Sequence, residues 1–237
     1  MKRPERKSEL ALARATREAI AIVRQGALML RPPSFARPSP HALHAEATVL
    51  IHGFMANARV FDPLRRFLEL QGHGRPYAFS YMPVGTVDEL SAKFARWLDA
   101  NVPRTARLRI VGHSLGGIVA RVFIQELGGA PRVDSLTTVA TPHAGTASAR
   151  LAIGRLAADM RPDSPLVERL RRGWSPTLVA HATAIVAGAD VMVTPPDSAA
   201  ALPGAKVVWL HGVGHNEALF HSDAHLAVDT ALRRRNR

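Results

Sequence analysis

The chain has 237 residues, 47% of them hydrophobic and 21% charged, which suits one globular domain with a full core. It contains no cysteine, which excludes disulfides and thiolate metal sites. The formal charge of +12 is concentrated at the ends: residues 1–40 carry nine Lys or Arg against three Glu, and residues 233–237 add four Arg. No nucleic-acid partner is expected, because the body keeps little basic excess and shows no interleaving of basic and aromatic residues. The basic tails read as solvated, and they are also suited to peripheral contact with an anionic membrane surface.

Met1 to Leu30 reads as a basic helix with apolar residues at Leu10, Ala13, Ile20, Val23, Ala27 and Leu30, packed on the domain. Arg24 divides its uncharged stretches, so nothing here spans a bilayer. No uninterrupted apolar core with a small-residue cleavage site follows the charged start, so a cytoplasmic location is expected. Residues 31–40 hold four prolines and read as a linker. The domain organisation is therefore a helix and linker over 1–40 and a catalytic domain over 41–237.

Within that domain Ala47–Ile51 is an apolar strand ending in His52-Gly53-Phe54. Asp62–Leu70 is a helix, Tyr77–Met82 a strand, and Val87–Ala100 a helix through Leu90, Phe94, Trp97 and Leu98. Leu108, Ile110 and Val111 form a strand, Ile118–Leu127 a helix, and Val133–Ala140 another strand. Thr141-Pro-His-Ala-Gly-Thr146 then opens a less regular excursion. It reads as helices over 147–160 and 166–172, a small cap inserted over about 147–175. Ala184–Ala187 and Val207–Leu210 are strands, and Asp223–Arg234 is a final helix. Regular alternation of strand and helix implies a parallel sheet covered on both faces, an α/β architecture.

The chemistry is centred on Gly112-His113-Ser114-Leu115-Gly116, lying between a strand and a helix. Gly-x-Ser-x-Gly in that setting is the pattern of a nucleophile elbow, whose strained turn lifts a serine hydroxyl above the sheet edge. The bare pattern recurs by chance in roughly one chain in ten of this length, so its context and partners carry the weight. A hydrolase of this kind needs an acid and a histidine later in the chain, each just past the end of a strand. Asp190 and His215 meet that demand, with Asp197 as the fallback acid. His211 reads as a packed strand residue, and Glu217, His221 and His225 as a solvated helix face with no metal. The Phe54 and Leu115 backbone N–H groups are placed to hold a developing oxyanion.

These motifs resemble the α/β-hydrolase superfamily, and most closely its bacterial triacylglycerol lipase and esterase branch. The resemblance covers about three quarters of the chain and rests on 52–54, 112–116, 141–146 and the turns at Asp190 and His215. It implies Ser114 as nucleophile, His215 as base and Asp190 as its acid, with His52, Gly53, His113 and His143 in the substrate pocket and no cofactor. The substrate it implies is a small-molecule or lipid ester, cleaved through an acyl-enzyme. Acyl transfer, thioester cleavage or perhydrolysis in the same site is the alternative, as is a non-catalytic lipid- or protein-binding module on the same scaffold. The first two strands of the full fold are missing from the pattern, and the basic helix stands in their place. Oligomeric state is not readable from the sequence.

Overall fold

The structure, a computed structural model, describes residues 3–31 and 46–234, with side chains from Glu9 onward. The proline-rich stretch, the residues before Glu46 expected to open the second domain, and the last basic residues lie outside the described residues. Six strands form one sheet: β1 (Glu46–Ile51), β2 (Tyr77–Phe79), β3 (Arg107–His113), β4 (Val133–Val139), β5 (His181–Ala187) and β6 (Lys206–Leu210). Their order is β2-β1-β3-β4-β5-β6 and every pairing is parallel. The chain reverses direction across the sheet between β1 and β3, the switch point where open α/β sheets bind ligands.

The central strands β1, β3, β4 and β5 are short runs of apolar and β-branched residues because both faces of the sheet are buried there, whereas edge strand β6 is largely exposed. Val49, Ile51, Leu108, Ile110 and Leu136 face one way, onto α3 (Val87–Asn101) and α4 (Leu115–Glu126). Leu50, Val111 and Ile185 face the other, onto α2 (Asp62–Leu70) and α7 (Ser222–Leu232). Helix starts follow local chemistry. Pro63 lies in the first turn of α2, and Thr86 with Glu89 closes a capping box at α3.

Two expectations are corrected. Residues 147–160 are not one helix: a 3-10 turn at Ala147–Arg150 is followed by bends, and α5 spans only Arg155–Asp159. Gly154, at φ 114°, sets the break, a conformation that a continuing helix cannot contain. After it α6 (Pro165–Gly173) is capped by Ser164, whose hydroxyl accepts the Val167 N–H. Leu156, Leu166 and Leu170 join the same buried cluster as α3 and α4.

The second correction concerns α1 (Arg3–Met29), which packs on the domain by the side opposite to its apolar stripe. Leu10, Ala13, Ile20, Val23, Ala27 and Leu30 are all exposed, whereas Ala21 and Leu28 are buried and Glu18, Gln25 and Met29 half-buried. The anchors are polar or mixed. Arg17 and Glu18 bond the 212–217 turn, Arg24 lies 4.6 Å from the centre of the Phe220 ring, and Asn57 Nδ2 donates to Met29 O. Charged contacts, not hydrophobic periodicity, orient this helix. Among the described residues no helix is long and apolar enough to cross a membrane.

Candidate active site

The residues singled out from sequence gather at the C-terminal edge of the sheet, after β1, β3, β5 and β6. Ser114 is the hinge between β3 and α4, with φ 53° and ψ −123°. A non-glycine residue with positive φ is strained, and the surroundings hold it there. The Ser114 N–H donates to Val139 O at 2.9 Å, which ties the turn to β4. A Cβ on Gly116 would come within 2.1 Å of Ile51 O, and one on Gly112 within 2.5 Å of the Gly117 nitrogen. Both positions need glycine because strand and helix backbones touch there.

Asp190 and His215 form a buried pair, with Asp190 Oδ2 2.7 Å from His215 Nδ1. The other carboxylate oxygen, Oδ1, accepts the Met192 N–H at 2.7 Å and the Val193 N–H at 2.8 Å. The carboxylate is thus oriented by backbone as well as by the ring. With Nδ1 committed to Asp190, the imidazole keeps Nε2 for other work. Asp197 is exposed in the Pro196–Ala200 3-10 turn and takes no part in this pair.

His113 links the elbow to the His215 turn. Its Nε2–H donates to His215 O at 3.2 Å, and the two ring centres lie 4.8 Å apart. Burial above all, with the neighbouring His215 and His52 rings adding, holds the His113 pKa well below the usual histidine value. A neutral ring with its proton on Nε2 supplies that single donor.

The turn after β1 approaches the serine directly. A Cβ on Gly53 would lie 3.0 Å from Ser114 Cβ, so only glycine allows this closeness. Neither the Phe54 N–H nor the Leu115 N–H is spent on a hydrogen bond within the described residues. Two uncommitted donors beside a serine, one of them opening α4, can hold negative charge on a substrate oxygen. Phe54 itself is half-buried and packs against the core.

Two residues expected in the substrate pocket are buried by contacts with neighbouring elements. His52 is fully buried: Nδ1 meets Gly53 O at 2.9 Å, Nε2 accepts the Tyr81 N–H at 3.2 Å, and the ring stacks on Tyr81 at 4.0 Å. It therefore braces the Gly53–Phe54 turn. Burial outweighs the Gly53 hydrogen bond and lowers its pKa to about 4. His143 is also buried, with Nε2 3.0 Å from Thr138 Oγ1. Burial, followed by the charge of Arg121, depresses its pKa well below the ordinary value. Arg121 Nη1 donates to His143 O and Nη2 to Leu170 O, so this arginine joins the 141–146 turn to α6.

Away from the centre, His211 is exposed, where a packed residue is expected. His225 and Glu217 are buried, not solvated, because Glu217 precedes α7 in a separate 3-10 turn and His225 Nε2–H donates to Leu219 O. Sequence reasoning missed Tyr81, whose hydroxyl donates to His52 O at 2.7 Å, and Glu217, whose carboxylate accepts the Gly214 N–H. Glu217 lies two residues past His215, which was a usable signal; nothing local marks Tyr81 as part of the site.

An all-parallel sheet clad by helices, with a strained serine turn between its third strand and the next helix, makes the chain an α/β-hydrolase in fold. The comparisons with known proteins agree. Residues 85–154, from the approach to α3 through the elbow and the 141–146 turn, match the PGAP1-like alpha/beta domain family. The phospholipase PlaB of Legionella pneumophila is similar at 18% identity and TM-score 0.53, over 59% of this chain and 37% of that one. The chain thus spans well under half of that protein's length. The mature lipase BlEst2 of Bacillus licheniformis matches at 14% identity and TM-score 0.58, over 80% of this chain and 89% of its own. A bacterial membrane phospholipase A described as a virulence factor matches at 18% identity and TM-score 0.55, over 99% and 100%. These structural neighbours are lipases and phospholipases, and the likeness is one of fold.

Proposed function

We propose that the protein is a serine hydrolase of carboxylic esters, acting on lipid-like substrates through an acyl-enzyme. The observations that carry this reading are the buried Asp190–His215 pair, joined through His113 to the turn that holds the strained Ser114, and the uncommitted Phe54 and Leu115 N–H groups. In this reading His215 Nδ1–H stays bonded to Asp190 while Nε2 takes the Ser114 proton. The serine oxygen attacks the ester carbonyl, and the two N–H groups receive the oxyanion. The alcohol departs with the proton returned by His215. Water then gives a proton to Nε2 and attacks the acyl-serine; as the carboxylic acid is released, Nε2 returns that proton to Ser114 Oγ.

A lipid-like ester is favoured by the apolar side chains left bare on loops that follow the strand ends. Met55 follows β1, Met82 follows β2, and Val191 and Met192 follow β5; all four are exposed. Leu151 and Ile153, in the excursion after β4, are 89% and 98% exposed. Such a rim gains free energy by covering itself with acyl chains. The lipase and phospholipase neighbours support the same substrate class.

The test is hydrolysis of p-nitrophenyl esters of short and long acyl chains by the parent, Ser114→Ala and His215→Ala. The expected outcome is a fall in kcat on the order of 10⁴-fold or more for each variant, with long chains preferred. Turnover by Ser114→Ala at the parent rate would refute the proposal.

A further inference from the structure

The turn that carries His215 is held from the far end of the chain. Glu18 Oε1 accepts the Asn216 N–H at 2.9 Å and the Asn216 side-chain amide at 2.8 Å, and Oε2 accepts the Glu217 N–H at 3.0 Å. Arg17 Nε donates to Glu217 Oε1 at 2.7 Å, and Nη2 donates to Gly212 O at 2.9 Å. Glu217 Oε2 accepts the Gly214 N–H at 3.0 Å. The backbone groups of Gly212, Gly214, Asn216 and Glu217, which flank His215 on both sides, are thus fixed by three side chains. Two of these, Arg17 and Glu18, belong to α1.

The turn needs such support. Gly212, at φ 76°, and Gly214 make Gly212-Val213-Gly214 a segment with little conformational preference of its own. A Cβ on Gly214 would meet Glu18 Oε2 at 2.3 Å, so the bare α-carbon is what lets the carboxylate settle on the turn. Glu18 accepts through a charged group, which makes stronger and better-directed bonds than a neutral acceptor. Without it His215 would keep its side-chain bond to Asp190, the His113 contact and the bonds from Glu217 and Arg17, while its two following residues lost their anchor. A shift of about 1 Å in a catalytic group costs on the order of 10²-fold in rate.

We infer that Glu18, buttressed by Arg17, is a positioning residue for His215, so that α1 is a working part of the active site and not only a cover. This rests on the reading of His215 as the base. It also accounts for the orientation of α1, whose domain-facing side carries Glu18 beside Ala21 and Leu28 while its apolar stripe is exposed.

The experiment compares the full-length parent with Glu18→Ala and Glu18→Gln in steady-state ester hydrolysis, with circular dichroism and thermal melting on the same samples. Glu18→Ala should lower kcat by about 30- to 100-fold with KM within about twofold. Glu18→Gln keeps one oxygen for the two Asn216 donors and should recover most of the loss, leaving kcat about 3- to 10-fold below the parent. A lowered melting midpoint with parental kcat, measured well below the midpoint, would mean that Glu18 only stabilises the fold, and the inference would be overturned. If Glu18→Ala does not fold, Glu18→Gln decides: the fall in kcat at constant KM supports the role, and parental kcat overturns it. Ser114→Ala and His215→Ala in the same series separate the two readings. If they are inactive while the Glu18 variants turn over normally, only the positioning role falls. If they also turn over normally, the assignment of the base falls with it.

Discussion

Acid should strip stability from this fold through His52, and the size of the effect follows from how the ring is held. Nε2 accepts the Tyr81 N–H, so the neutral ring carries its proton on Nδ1, facing Gly53 O. A second proton would place a charge and a surplus donor against Tyr81 in a site closed to water. Burial accordingly lowers the pKa from 6.5 to about 4. Between those two values the unfolded chain binds more protons than the folded one, so stability falls as the pH drops through that window and is fully present above it. Going from about pH 7 to about pH 4.5, this group alone removes about 2 kcal/mol. The assay is urea unfolding at both pH values for the parent and His52→Gln. The variant is less stable at neutral pH, because it loses the stacked, doubly bonded ring, but its loss on acidification should be smaller than the parent's by about 2 kcal/mol. His113, His143 and His225, whose pKa values burial also lowers, remain in both proteins and leave both acid-sensitive. Equal losses in parent and variant would refute the account of His52 as a buried neutral brace.

Two further outcomes are expected. In Asp190→Asn the Met192 and Val193 N–H groups hold the amide oxygen and turn the NH2 donor toward His215 Nδ1, which favours the wrong ring tautomer, so kcat should fall by about 10²- to 10⁴-fold, read with a soluble short-chain ester. Replacing Arg121 by Met keeps the apolar stem in the core but leaves His143 O without its donor, while Leu170 O keeps the bond from Gln125 Nε2. That should cost about 1 to 3 kcal/mol per unsatisfied buried group, visible as a lower urea midpoint; an unchanged midpoint would show that the link between α6 and the 141–146 turn carries no stability.

Much of the fold is legible in the sequence because its central strands are buried on both faces and read as β-branched runs between turn residues. The limits of α2 coincide with the expected ones, since Asp62-Pro63 marks its start. The start of α4 was obscured by Gly116 and Gly117, which lie inside the helix although glycine disfavours helices; close packing on β1 demands at least the first of them. Gly154 hid the break between the 147–150 turn and α5 for the opposite reason, as a single residue in an otherwise helical pattern. In the proposed site, Ser114, Asp190 and His215 could be singled out because each follows a recognisable strand. The roles of the flanking residues could not. Whether His52 and His143 face a substrate or the core depends on Tyr81 and Arg121, partners from other elements. The reach of Glu18 to the His215 turn spans about 200 positions and leaves no trace in local spacing. The apolar stripe of α1 even pointed the wrong way, because hydrophobic periodicity assumes that packing is apolar.

The most direct measurement is covalent labelling by a long-chain p-nitrophenyl alkylphosphonate followed by peptide mass mapping. The account predicts one adduct per chain, on the peptide containing Ser114, forming with release of p-nitrophenol and absent from Ser114→Ala and much slowed in His215→Ala. An adduct on another residue, or no adduct on a folded protein that still cleaves esters, would contradict it.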